Sequence, residues 1–290
     1  MIWSDLHLLM QQSPLFFYVF FALFCLAMGS LLNVIIYRLP LMLQAEWASE
    51  CRTILLLPEV ESSKINLFYP RSFCPACEKQ IPFWHNIPLL SYCLLRGRCR
   101  QCHQSIPLRY PFVEALTLVL SLSAAHLFGF HVSLIFILLF IWLLICLSMI
   151  DLTHQLLPDQ LTYALLWLGL IVNTQHLFTS LPNAVLSAVG AYVALWLFIK
   201  LFFLIRKKVG MGHGDFKLFA AFGAWFGWTQ LPLILLISSL LGAVTGVVYL
   251  KATKKTTDTP IPFGPFLCVA GLTSLFFGPS IFDWYVGYLK

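Results

Sequence analysis

Eight apolar runs, at 15–37, 112–129, 132–150, 160–178, 184–205, 216–229, 232–250 and 264–283, leave this chain few ways to fold. The hydrocarbon core of a bilayer is about 30 Å thick and takes about 20 helical residues to cross. Backbone N–H and C=O groups find no water there, so such runs must satisfy their hydrogen bonds internally, as helices. The breaks between runs carry turn or polar residues, at 129–131, 173–175, 180–183 and Pro232. Only 10% of the 290 residues are charged, against about 25% in a soluble domain. That scarcity excludes a soluble enzyme, a nucleic-acid binder and a disordered chain. The expected fold is an all-α polytopic membrane protein with about eight transmembrane helices. No Lys or Arg precedes the first run, only Asp5 and His7, a pattern unlike a cleaved signal peptide.

The charges are unevenly placed. Residues 39–112 hold 13 of the 30 Asp, Glu, Lys and Arg residues and contain no run of spanning length. The chain therefore reads as a first transmembrane anchor (1–38), a small polar loop domain (39–112) and a membrane part (113–290). Alternate connections, at 39–111, 151–159, 206–215 and 251–263, carry basic residues: Arg52, Lys64, Arg71, Lys79, Arg96, Arg98, Arg100 and Arg109, then Arg206, Lys207 and Lys208, then Lys251, Lys254 and Lys255. The connections near 130, 179–183 and 230–231 carry none. The positive-inside rule then puts the loop domain in the cytoplasm and both termini outside. The net charge of +6 is mostly this topology signal, with contact to anionic membrane lipid as a second role and no call for nucleic acid.

Four of nine cysteines form two CxxC pairs, Cys74/Cys77 and Cys99/Cys102, with 21 residues between the pairs. Two such knuckles supply the four thiolates that a tetrahedral Zn²⁺ ion takes. Two disulfides or four unlinked thiols are the alternatives, and a reducing cytoplasm disfavours the disulfides. His85 and His103 lie close by but are surplus to a four-cysteine site. Cys25, Cys146 and Cys268 fall in apolar runs, where packing explains them. Cys51 and Cys93 have no evident partner in the sequence.

An ionisable residue at membrane depth is costly and points to function. Glu114 opens the second run, Asp151 ends the third and Asp215 precedes the sixth, while Asp283 lies at the far end of the last run. Asp159 follows Pro158 and has an ordinary explanation as an acid at a helix start. Asp151 and Asp215 fall at one depth in the inferred topology. Two carboxyls in one site share a proton, so that one can activate water while the other donates to a carbonyl. Equal depth does not establish contact, and a transporter's proton relay or plain helix-end acids fit as well. Asp215 closes the segment Gly210-Met211-Gly212-His213-Gly214-Asp215. Its spacing is not that of a nucleotide-binding loop, and no strand precedes it. A tight re-entry into the membrane accounts for the glycines. Lys217, two residues on, is placed to favour the charged acid or to meet lipid headgroups.

Taken together these blocks resemble the type IV prepilin leader peptidases, membrane aspartyl proteases of the GxGD type. The opening block is Gly29-Ser30-Leu31-Leu32-Asn33-Val34 with Tyr37-Arg38-Leu39-Pro40. The two CxxC knuckles follow, with Asn86-Ile87-Pro88-Leu89-Leu90-Ser91-Tyr92 and Leu95-Arg96-Gly97-Arg98-Cys99, then Arg109-Tyr110-Pro111 and Glu114. Asp151 with Leu157-Pro158-Asp159, then Gly212-His213-Gly214-Asp215, and finally Pro262-Phe263-Gly264-Pro265-Phe266 complete the match. Residues 41–70 match none of these blocks.

The resemblance implies Asp151 and Asp215 as the catalytic aspartates, with Gly212 and Gly214 as the supporting loop. It implies a bacterial inner-membrane enzyme whose active site faces the cytoplasm. Its substrates would be type IV prepilins and type II secretion pseudopilins, cut after a Gly and typically before a Phe. It further implies N-methylation of the new N-terminal residue with S-adenosylmethionine as donor, a function associated with the N-terminal block and the cysteine loop. Gly29 and Asn33 are the candidates there, although close helix packing also explains Gly29. A proton-coupled transporter and a zinc-ribbon scaffold of a secretion system are the rival readings. The first would show inverted repeats, and none is evident.

Overall fold

The computed structural model describes residues 14–58, 65–74, 76–82, 84, 87–207, 211–253 and 261–288. Asp5, His7, Lys64, Pro75, His85, Asn86, Lys208, Gly210, Lys254 and Lys255 lie outside the described residues. The described residues form α1 (Pro14–Ile54), a short α2 (Leu90–Leu94), α3 (Arg109–Phe128), α4 (Val132–His154), α5 (Asp159–Asn173), α6 (Leu181–Arg206), α7 (His213–Phe226), α8 (Leu231–Thr253) and α9 (Gly264–Tyr288). Among the described residues there is no strand, only two isolated bridges, Phe73 with Gln80 and Arg98 with Ser105. A helix of at least 14 residues stands at each of the eight expected places. Six of them, α1, α3, α4, α6, α8 and α9, are long and apolar enough to cross a membrane. The other two, α5 with 15 residues and α7 with 14, rise only about 21–23 Å at 1.5 Å per residue.

The chain divides into two compact units, residues 1–134 and 135–290. In the first, α1 and α3 pack together, and Gly29 lies at a tight contact between them. A Cβ there would lie 2.9 Å from the Glu114 Cα. Phe17, Tyr18 and Phe21 of α1 surround Phe130 at ring distances of 4.5–5.6 Å. The helix α1 continues through Pro40 to Ile54, so the first part of the polar segment is helical. Arg38 is buried, and a buried guanidinium needs acceptors. It donates to the Asn66, Leu67 and Pro70 carbonyls at 2.9, 3.3 and 2.6 Å, pinning the returning chain to α1.

In the second unit α7 is the central helix, packed by α5, α6, α8 and α9. Its residues from Phe216 to Phe226 are buried almost throughout, as expected of a helix that is apolar on every face. Phe140 of α4 meets the Phe222, Trp225 and Phe226 rings at 6.2, 4.6 and 5.5 Å. The end of a buried helix must find partners for its last carbonyls. Asn173 Nδ2 donates to the Ala224 and Trp225 carbonyls at 2.7 and 2.9 Å, and its Oδ1 accepts from the Phe178 and Thr179 N–H groups. A short helix is thereby held inside the unit without reaching through it.

Candidate active site

Asp151 sits in the last turn of α4 and Asp215 in the first turn of α7, and both are buried. Their settings differ. Asp215 Oδ2 accepts the Gly212 N–H at 3.2 Å, and the Asp215 N–H donates back to the Gly212 carbonyl. An acid at a helix start is favoured by the helix dipole, so local structure alone accounts for part of Asp215. It does not account for Asp151, which stands at the unfavourable, negative end of its helix. Asp151 Oδ2 instead accepts the Gly264 N–H at 3.0 Å, from the first residue of α9. Each carboxyl thus has one oxygen anchored by a glycine N–H at a helix start, Asp215 by the N-cap of its own helix and Asp151 by the first residue of α9.

The two carboxyls stand on either side of Leu157, which a Cβ on Gly214, next to Asp215, or on Gly264, hydrogen-bonded to Asp151, would crowd. Asp215 Oδ1 is buried and has no hydrogen-bond partner among the described residues. A buried acceptor left unpaired costs about 1–3 kcal/mol. That cost is ordinary for an atom reserved for a substrate or a water.

Leu157 ties the two aspartate loops together. A Cβ on Gly214 would lie 2.8 Å from its Cβ, and one on Gly264 would lie 3.1 Å from its Cδ2. A Cβ on Gly264 would also fall 2.6 Å from Asp151 Oδ2. Gly214 and Gly264 are therefore glycines because other atoms occupy the space of a side chain. Gly212 lies at the N-cap of α7 and contributes its N–H to Asp215.

Lys217 does not serve Asp215. Residues two apart on a helix do not face each other, and Lys217 Nζ pairs with both Asp159 oxygens, at 2.6 and 2.8 Å. It also lies 5.3 Å from the Tyr163 ring centroid. Asp159 is the first residue of α5, and its carboxylate pairs with Lys217.

The four knuckle cysteines come together in the first unit, with all four Sγ atoms within 4.8 Å of one another. The two knuckles repeat one backbone pattern. The Cys74 N–H donates to the Lys79 carbonyl and the Cys99 N–H to the Gln104 carbonyl. Glu78 and His103, each next after the second cysteine, share a left-handed φ of 56° and 55°. Cys74 Sγ and Cys102 Sγ are 3.8 Å apart and all four thiols are free. A tetrahedron with metal–sulfur bonds of about 2.3 Å has edges of about 3.8 Å, whereas a disulfide needs about 2.05 Å. The Cys102 and Gln101 N–H groups hold the Cys99 thiol down, to about 6. Cys102 is pushed the other way, to about 11: the Gln104 N–H favours its thiolate, but desolvation and the crowding Cys99, Cys77 and Cys74 thiols outweigh it. A cation between the four relieves that crowding, and the donor set fits a metal ion. His103 is not part of this group.

Cys25, Cys146 and Cys268 are buried, and Cys51 and Cys93 are exposed free thiols. Asn33 lines a cavity of about 490 Å³ in the first unit, whereas Gly29 sits at the contact between α1 and α3.

Known proteins match this sequence along nearly all of its length. The prepilin leader peptidase/N-methyltransferase of Legionella pneumophila is 60% identical over 276 residues, covering 95% of this chain and 96% of that protein. The chain belongs to the type IV leader peptidase family. Residues 138–247 match the type IV leader peptidase family itself, and residues 23–128 match the bacterial peptidase A24 N-terminal domain. Proteins of the same name from Stutzerimonas stutzeri and Pseudomonas aeruginosa are 48% and 47% identical. These matches cover 97% and 94% of this chain, and 98% and 94% of the respective relatives. No solved structure gives a significant match.

Two residues of this family member carry more of the site than sequence spacing could show. Gly264 donates to Asp151 from 113 positions away, and Leu157 fills the space between the loops. The available signal was a glycine flanked by Pro262 and Pro265 directly before an apolar run.

Proposed function

We propose that this chain cleaves the basic leader from type IV prepilins and type II secretion pseudopilins, after a Gly and typically before a Phe, and then N-methylates the new N-terminus. The observation that supports the peptidase half is that the turns bearing Asp151 and Asp215 converge on Leu157. These acids are two buried carboxyls from different helices, each with one oxygen anchored and with Asp215 Oδ1 unpartnered. With one proton between them, the charged carboxyl takes a proton from water as its oxygen attacks the scissile carbonyl carbon. The protonated one donates to the carbonyl oxygen. Collapse of the tetrahedral adduct breaks the C–N bond and returns a proton to the departing amine. The Gly212 and Gly264 N–H groups hold the two carboxyls in place during these transfers, and Gly214 leaves room for Leu157 between the loops.

The methyl-transfer half rests on the name shared by the relatives. The pilin's new α-amine would take the methyl group that S-adenosylmethionine would supply when bound, with S-adenosylhomocysteine and a proton released. Cys74, Cys77, Cys99 and Cys102 would hold a structural Zn²⁺ ion that fixes the two knuckles against each other. The basic residues of the polar segment and of alternate connections support an inner-membrane enzyme whose active site faces the cytoplasm.

One assay tests the whole reading: purified protein, a prepilin and S-adenosylmethionine, with the product read by mass. Loss of the leader plus one methyl group is expected. An unchanged prepilin would reject the function and leave a transporter or a scaffold.

A further inference from the structure

Residues 155–158 join α4 to α5, and Leu157 among them is buried, at 8% exposure. Connecting residues usually lie on the surface, so a buried leucine here calls for a reason. The chain aims it from both sides. The Gln155 N–H closes α4 on the Asp151 carbonyl, and Gln155 takes a left-handed φ of 51°. Pro158 follows, and a proline holds the residue before it in extended backbone. The Pro158 carbonyl then accepts the Thr162 N–H and opens α5.

The Leu157 side chain takes the space between the two aspartate turns. A Cβ on Gly214, the residue before Asp215, would lie 2.8 Å from the Leu157 Cβ and 3.3 Å from its Cδ1. A Cβ on Gly264 would lie 3.1 Å from the Leu157 Cδ2 and 2.6 Å from Asp151 Oδ2, so a leucine methyl and the carboxyl oxygen flank one point. Nonbonded carbons pack at about 3.5–4.0 Å, so neither point can take another atom. The protein's own backbone meets this crowding with glycine on both sides.

A peptide cut here must bring its scissile carbonyl carbon to within about 3–3.5 Å of the attacking oxygen. The residue that supplies this carbonyl has its Cα bonded directly to the carbon, at about 1.5 Å, so its side chain begins two bonds away. The residue after the cut is joined through nitrogen, and its side chain begins three bonds away. Crowding at the carboxyls therefore falls on the residue before the cut and spares the one after it. We propose that Leu157 is the specificity-determining residue of the peptidase, its isobutyl group excluding a Cβ on the residue before the scissile bond. The inference rests on the peptidase reading above. It adds the side chain that sets the preference for Gly before the cut and leaves room for Phe after it.

The test uses two substrates, a prepilin and the same prepilin with its last leader residue changed from Gly to Ala. Full-length parent, Leu157→Ala and Leu157→Val in nanodiscs cut the two in competition, and the ratio of kcat/KM values is read by mass. One methylene-sized group in a packed pocket is worth about 10–200-fold, so the parent should favour Gly by at least about tenfold. Leu157→Ala should narrow that preference to below about threefold, and Leu157→Val should fall between the two. Where Leu157→Ala does not fold, as thermal unfolding reports, Leu157→Val leaves the smaller void and carries the test. A role in packing alone lowers both rates by one factor and leaves the ratio unchanged, and that result would overturn the proposal. A parent that cuts both substrates alike would overturn it too, as would folded variants that cut neither, because Leu157 would then only hold the aspartates in place. Failure of the parent to cut the unaltered prepilin would instead remove the peptidase reading.

Discussion

Asp151 and Gly264 are 113 residues apart in the chain and share a 3.0 Å hydrogen bond, with the glycine N–H donating to Oδ2. The contact compensates a carboxyl at the wrong end of a helix, and it leaves no room for a side chain. In Gly264→Ala the new Cβ would stand 2.6 Å from Oδ2, so Asp151 must move. A displacement near 1 Å costs about 10²-fold in rate. Cleavage should fall by that order, and a rate within threefold of the parent would show that Gly264 does not position Asp151.

Replacing either acid removes a proton-transfer group outright. Asp151→Asn and Asp215→Asn should each slow prepilin cleavage by about 10²–10⁴-fold or more, while the protein still inserts in the membrane. Single-turnover cleavage, followed by mass, checks this. Normal processing by either variant ends the dyad assignment.

Lys217 and Asp159 form a partly exposed pair, with side-chain exposures of 23% and 51%. Such pairs contribute about 0–1 kcal/mol. Lys217→Met and Asp159→Asn should therefore shift unfolding by no more than about 1 kcal/mol and leave cleavage within a few-fold. A loss with Asp159→Asn as deep as that of Asp151→Asn would place Asp159 in the chemistry after all.

The knuckles should carry one zinc ion per chain, measured by elemental mass spectrometry. Cys→Ser at position 74, 77, 99 or 102 should remove it and expose the segment 71–106 to protease. Full protease resistance in metal-free protein would show that no ion is needed to fold the loop.

Gly29 can be separated from ligand contact. Its Cβ would meet the Glu114 backbone at 2.9 Å, and overpacking of this kind costs about 1–3 kcal/mol. Gly29→Ala should lower the unfolding midpoint accordingly. An unchanged midpoint would free Gly29 from the helix contact and return it to the candidates for binding.

The sequence by itself determined the helical class, the places of eight helices, six of them of spanning length, and the cysteine quartet. Each rests on a local physical rule: apolar length, turn residues between runs, and the reach of a CxxC turn. The motif residues Asp151 and Asp215 were legible for the same reason, since charge at membrane depth stands out against an apolar background. Depth alone could not bring them together. Only the tertiary structure decided that α7 is the buried centre of its unit, that Lys217 answers Asp159 and not Asp215, and that Gly264 holds Asp151. It also decided that Asn33 and Glu114, 81 positions apart, line one cavity. These facts concern which faces of distant helices meet, and side-chain packing sets them only once the whole chain has closed on itself.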